Sequence, residues 1–136
     1  MHDDIYQMYL EEVKRIPVCT CEEERELLAR VRAGNKAARE RLLEGTLRYV
    51  LELAGKYRGR GLAAGDLVQE ANMALLLALE GYEGGDFREQ IKALASERLE
   101  AAIEAQKREK QAEEEVASLP SSSAIILEIS FRTLTL

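Results

Sequence analysis

Asp66, Gln69, Glu70 and Asn72 place acid and amide groups within about two turns of a helix. None of these side chains is a strong nucleophile, and the single histidine, His2, lies far away in the chain. Their natural chemistry is recognition: carboxylates accept hydrogen bonds and draw cations, and amides both donate and accept. Met73, Leu76 and Leu77 follow directly, so the polar group runs into an apolar step. Charge that selects a partner beside apolar surface that anchors it is the pattern of a docking face. The same residues also fit a plainer arrangement. Asp66 and Gln69 suit a helix N-cap with its N3 partner, and Met73, Leu76 and Leu77 suit burial under another helix of the same chain. Periodicity leaves both readings open.

Other chemistries have less support. Cys19 and Cys21 are separated by one residue, too close for an easy mutual disulfide, and a metal site would need further ligands. They read as ordinary thiols near a helix start. "GRGLAAG" is glycine-rich but lacks the Lys-Ser/Thr ending of a phosphate-binding loop. No nucleophile–base pair stands out, so an enzyme is not expected, and neither a metal nor a cofactor is called for. The net charge of −6 speaks against broad nucleic-acid binding, which needs clustered cations. Lys56, Arg58 and Arg60 form a small basic knot around two glycines. It is either a local cationic strip or a solvated helix end whose cations suit the negative pole of the dipole. No apolar run approaches a membrane span, and no signal peptide is visible, which places the chain in the cytoplasm.

The elements that must position these groups are helical. The 136 residues are rich in Ala, Leu, Glu, Arg and Lys, with 32% charged and 46% apolar residues, and they suit a single all-α domain. A first helix spans Asp3 to Arg15, with Ile5, Met8, Tyr9 and Val13 as its apolar stripe, and ends before Pro17. Thr20 with Glu23 forms a capping box for a second helix that carries Leu27, Leu28 and Val31 and stops at Gly34. Asn35 caps a third, with Ala38, Leu42, Leu43, Leu47, Val50, Leu51 and Ala54 inward. Gly45 interrupts it at a cost of about 1 kcal/mol relative to alanine.

In the fourth helix Leu67, Val68, Ala71, Ala74, Leu75, Ala78, Leu79 and Tyr82 gather on the arc opposite the acid and amide group. Asp86 caps the last helix, whose stripe is Phe87, Ile91, Leu94, Ala95, Leu99, Ala102 and Ile103. Beyond Ile103, "EAQKREKQAEEE" has helical propensity but no apolar face, and it is expected to project or fray, held by pairs such as Glu104–Arg108 and Lys110–Glu114. Residues 1–116 form the helical domain in this reading, and 117–136 a linker and tail. "AIILEISFRTLTL" alternates like a strand. It could pair with a second copy, dock on the helical body, aggregate, or be an altered reading frame or cloning remnant.

The ordered motifs carry a family resemblance. "IP" at Ile16-Pro17, Thr20, the run Glu22-Glu23-Glu24 and then Glu26-Leu27, followed by "TLRYVLELAGKYRGRGL" and "DLVQEANMAL", resemble the sigma-70 family of bacterial RNA polymerase sigma factors. The likeness covers roughly residues 3 to 87, with the first two helices similar to region 1.2 and the rest to region 2. It implies that the fourth helix docks on the clamp helices of β′, the largest subunit of core RNA polymerase. Asp66, Gln69, Glu70 and Asn72 fall on the family's polar contact positions and Leu76 on an apolar one, with Met73 beside them.

After Phe87 the likeness decays. The family continues with an aromatic-rich helix that helps melt promoter DNA and reads the minus-ten element. Here the matching tyrosine is Gln90, the two tryptophans are Ala93 and Leu94, and the Arg-Gln pair is Ser96-Glu97. Arg58, Arg60, Phe87 and Arg88 remain as candidate DNA-facing residues. Nothing resembling region 4, the helix-turn-helix that reads the minus-thirty-five element, occurs in the 136 residues.

The expected protein is therefore a bundle of about five helices that binds core polymerase and reads promoter DNA weakly or through a partner chain. It would act as half of a split sigma factor or as a modulator of others. Alternatives are a truncated but working sigma factor, and a helical protein that associates with itself through its greasy helix and tail.

Overall fold

The computed structural model describes residues 2–119, with side chains from Ile5 onward. The strand-like segment expected at 124–136 lies outside the described residues. Five helices follow one another: α1 (His2–Lys14), α2 (Cys21–Arg32), α3 (Lys36–Gly55), α4 (Ala64–Glu80) and α5 (Phe87–Ser118). The fold class is all-α, with a long last helix, as the composition predicts.

Local signals set most helix ends. The Thr20 hydroxyl accepts from the Glu23 amide at 3.1 Å, so α2 starts where the capping motif places it. The Glu23 carboxylate meets the Arg41 guanidinium of α3 at 2.9 Å, a tie between two helices. The other end of α2 closes at Gly34, whose φ of +89° only glycine adopts without strain. There the Asn35 amide reaches the Arg30 carbonyl at 3.0 Å and the Gly34 amide the Val31 carbonyl at 2.9 Å, which satisfies two orphan acceptors. Asn35 Oδ1 then accepts from the Ala38 amide at 3.0 Å and opens α3. Asp86 does the same for α5, accepting from the Glu89 amide at 3.2 Å.

Gly45 does not break α3. Cys19 lies against it, with its amide bonded to the Gly45 carbonyl at 3.2 Å, and a Cβ at position 45 would collide with the Cys19 sulfur. The glycine lets the segment before α2 lie directly on α3. Burial pushes the Cys19 thiol above its ordinary pKa, so it behaves as a packed apolar group. Cys21 is exposed.

The chain divides into two compact units, Met1–Ile103 and Glu104–Leu136. In the first unit, α4 lies between other helices and buries Leu67, Val68, Ala71, Ala74, Leu75, Ala78 and Leu79. This is the expected arc, with Tyr82 partly buried against the same core. Phe87, Ile91, Ala95, Leu99 and Ile103 supply the buried stripe of α5, four residues apart throughout. Thr46 is buried inside α3, and its hydroxyl donates to the Leu42 carbonyl at 2.8 Å. In the second unit the helix continues unbroken to Ser118 with every side chain from Glu104 to Ser118 exposed, so fraying is not seen before that point. Lys107 approaches Glu104 at 4.0 Å there.

The first helix needs a correction. Tyr6 and Val13 are buried and Leu10 packs beside them, whereas Ile5, Met8 and Tyr9 are exposed. Two apolar arcs adjoin on α1, and the distant partner chose between them. The Tyr6 hydroxyl donates to the Leu51 carbonyl at 2.7 Å, and that oxygen with the ring carbon bearing it sits where a Cβ on Gly55 would stand. The Arg58 guanidinium caps the same ring at 4.5 Å.

Candidate functional site

The helix α4 begins at Ala64, earlier than a cap at Asp66 would allow. Ala63 is the N-cap and makes no side-chain cap bond. Asp66 therefore lies inside the first turn, exposed, where a carboxylate suits the positive helix pole. The plainer account of Asp66 and Gln69 as a capping pair does not hold. Gln69 is exposed as well.

Glu70 is half-buried, and its Oε2 accepts from Arg98 Nε of α5 at 2.9 Å. The ion pair holds this carboxylate in place against the last helix. Asn72 is also half-buried, and its Oδ1 is covered without a hydrogen-bond partner among the described residues. Such a covered acceptor costs about 1–3 kcal/mol. Met73 and Leu77 are 40% and 39% exposed, and Leu76 is half-buried. The outer face of α4 thus leaves Asp66, Gln69, Met73 and Leu77 exposed, while Glu70, Asn72 and Leu76 are half-covered by the first unit's own helices. A groove of about 430 Å³ runs along it, lined by Tyr9 of α1 and by Gln69, Asn72, Met73 and Leu76 of α4.

The candidate DNA-facing residues are not gathered in one place. Phe87 is a core residue, 4% exposed, packed edge-on against Tyr82 with ring centroids 5.6 Å apart. As a surface contact it must be withdrawn: its ring supplies the burial that starts α5. Arg88 donates to Glu24 at 3.0 Å and to the Cys19 carbonyl at 3.3 Å, and it lies 5.2 Å from the Tyr49 ring. Glu24 is buried, so this ion pair ties α2 to α5 within the fold. Arg60 grips Glu100 through two bonds of 2.7 and 2.8 Å, and its guanidinium lies 5.4 Å from the Tyr57 ring. Arg58 rests on Tyr6 and donates to the Gly55 carbonyl at 3.3 Å. The two arginines of the basic knot are therefore stitched to their own helices.

Two residues of the α4 face escaped the sequence reading. Arg98 occupies no motif position, and its partner is 28 residues away, so no local signal marks it. Tyr9 carries a signal, helical spacing from Ile5, but the same spacing fits a core stripe equally well.

Residues 42–89 match the family model of sigma-70 region 2. This part of the chain is similar to sigma-70 region 2. The matched span starts in α3, includes all of α4 and ends in the first turn of α5, so the face described above lies within it. The RNA polymerase sigma factor SigA of Clostridium acetobutylicum is 41% identical over 81 residues, covering 60% of this chain and 21% of that protein. SigA from a Bacillus species is 41% identical over 81 residues, covering 60% of this chain and 22% of that protein. The chain spans about a fifth of the length of these relatives. None of its described helices is long and apolar enough to cross a membrane.

Proposed function

We propose that the chain is a transcription initiation module that binds core RNA polymerase in the cytoplasm by docking the outer face of α4 on the clamp helices of β′. It acts by binding and catalyses no reaction. The observation that carries this reading is the exposure of Asp66, Gln69, Met73 and Leu77 on a helix whose other arc is fully packed. A soluble fold gains nothing by leaving Met and Leu in water beside an acid and amide cluster, unless another molecule covers them. An acidic face also suits a basic coiled coil, and such contacts speed and orient the encounter.

Direct minus-ten recognition is weak in this proposal. Captured bases stack on aromatic faces, each worth about 1–3 kcal/mol. Positions 90, 93 and 94 offer Gln, Ala and Leu. Gln90 is turned to the Gly84 carbonyl at 2.8 Å, and Ser96 takes the Tyr57 hydroxyl at 3.0 Å. Arg60 and Arg88 are neutralised by Glu100 and Glu24.

Purified core polymerase should retain the wild-type chain, and Gln69→Lys should lower its affinity at least a hundredfold with unchanged far-UV circular dichroism. Wild-type affinity in that variant would sink the docking face. A single-stranded minus-ten oligonucleotide should bind only feebly at physiological salt; submicromolar, sequence-selective binding would show that α5 reads DNA after all.

A further inference from the structure

The apolar surface of α4 does not stop at α4. Ile5, Met8 and Tyr9 are 46%, 62% and 39% exposed, and spacings of three and four residues put them on one side of α1. Tyr9 lines the groove together with Met73 and Leu76, so the exposed arc of α1 meets the apolar step of α4 at this residue. Exposed carboxylates stand beside lining residues in the chain: Asp66 follows Gly65 on α4, and Glu12 lies three residues after Tyr9 on α1.

We propose that α1 is the second wall of the polymerase-docking site, and that the α1–α4 groove takes one helix of the clamp coiled coil. That helix would lay an apolar stripe on Tyr9, Met73 and Leu76 and set flanking Lys or Arg residues against Asp66 and Glu12. This deepens the polymerase-binding reading and rests on it. A second copy of the chain is a poorer occupant, because pairing this face with itself would bring the exposed carboxylates of α1 and α4 toward their own copies. A helix fits the groove better than an extended strand, because both walls are helices and side chains on them interleave as ridges into grooves.

Titrating fluorescently labelled chain with core polymerase tests the proposal. Tyr9→Ala should weaken binding about tenfold, Tyr9→Phe should restore it to within about twofold, and Glu12→Lys should weaken it several-fold, more at low salt than at high salt. If Tyr9→Ala and Glu12→Lys bind like wild type while Gln69→Lys loses binding, α1 takes no part and the α4 reading survives alone. If Gln69→Lys itself binds normally, the polymerase reading fails and takes this one with it. Should Tyr9→Ala lose helicity, the exposed Glu12→Lys decides, and wild-type affinity there overturns the proposal. A concentration-dependent dimer that Tyr9→Ala dissolves would equally overturn it, by making a second copy the occupant.

Discussion

Asn72 carries a polar atom that the fold covers and leaves unbonded. Its Oδ1 is covered and unbonded, a cost of about 1–3 kcal/mol that an apolar residue would not carry. Asparagine is also a poorer helix former than alanine by several tenths of a kcal/mol. Asn72→Ala should therefore raise the stability of the fold by about 1 kcal/mol while weakening the affinity for core polymerase. Thermal unfolding and the binding titration check the two halves separately, and a destabilised Asn72→Ala would mean that the amide packs better than its missing bond suggests. Glu70 is the contrasting residue. Arg98 already holds its carboxylate at 2.9 Å, so a partner's cation must share or displace that contact. Gln69 and Asp66, exposed, offer themselves at no such cost.

At the scale of elements, the helices are tied by close approaches that no propensity scale reports. The segment before α2 touches α3 at Gly45 because nothing stands between the glycine backbone and Cys19. Gly45→Ala improves helix propensity by about 1 kcal/mol yet drives a methyl group into the Cys19 sulfur. The net effect should be a loss of about 1–3 kcal/mol, and adding Cys19→Ala should return part of it. Chemical denaturation of both single variants and the double variant closes that cycle; additive losses would show that the contact is not shared. The same logic governs α1. Its spacing offers two apolar arcs, and Tyr6 prevails because its hydroxyl finds the Leu51 carbonyl and its ring finds the space at Gly55. The losing arc, Ile5, Met8 and Tyr9, becomes surface and so becomes available for binding.

Across the whole molecule, charge and protonation act together. Burial pushes the Cys19 thiol and the Tyr6 and Tyr49 phenols above their ordinary pKa values. Each is an acid whose neutral form the fold prefers. Their contribution to stability is therefore complete below the ordinary thiol and phenol values of 9.0 and 10.0, and it is lost as pH rises from there through the raised folded values. Denaturation midpoints measured from pH 7 to pH 11 should hold steady and then fall in the alkaline limb. A flat profile to pH 11 would show that the three groups titrate as freely in the fold as in the unfolded chain.

The sequence alone determined the order and type of the helices, the caps at Thr20, Asn35 and Asp86, and the two-faced character of α4. These depend on contacts within a turn or two of chain, where hydroxyl, amide and apolar spacings act directly on the local backbone. Only the tertiary structure decided which arc of α1 is buried, that Phe87 is core, that Arg60 and Arg88 are spent on Glu100 and Glu24, and that Arg98 holds Glu70. Those outcomes depend on residues brought together from 28 to 64 positions apart, and a one-dimensional pattern carries no record of which distant helix will arrive beside which face.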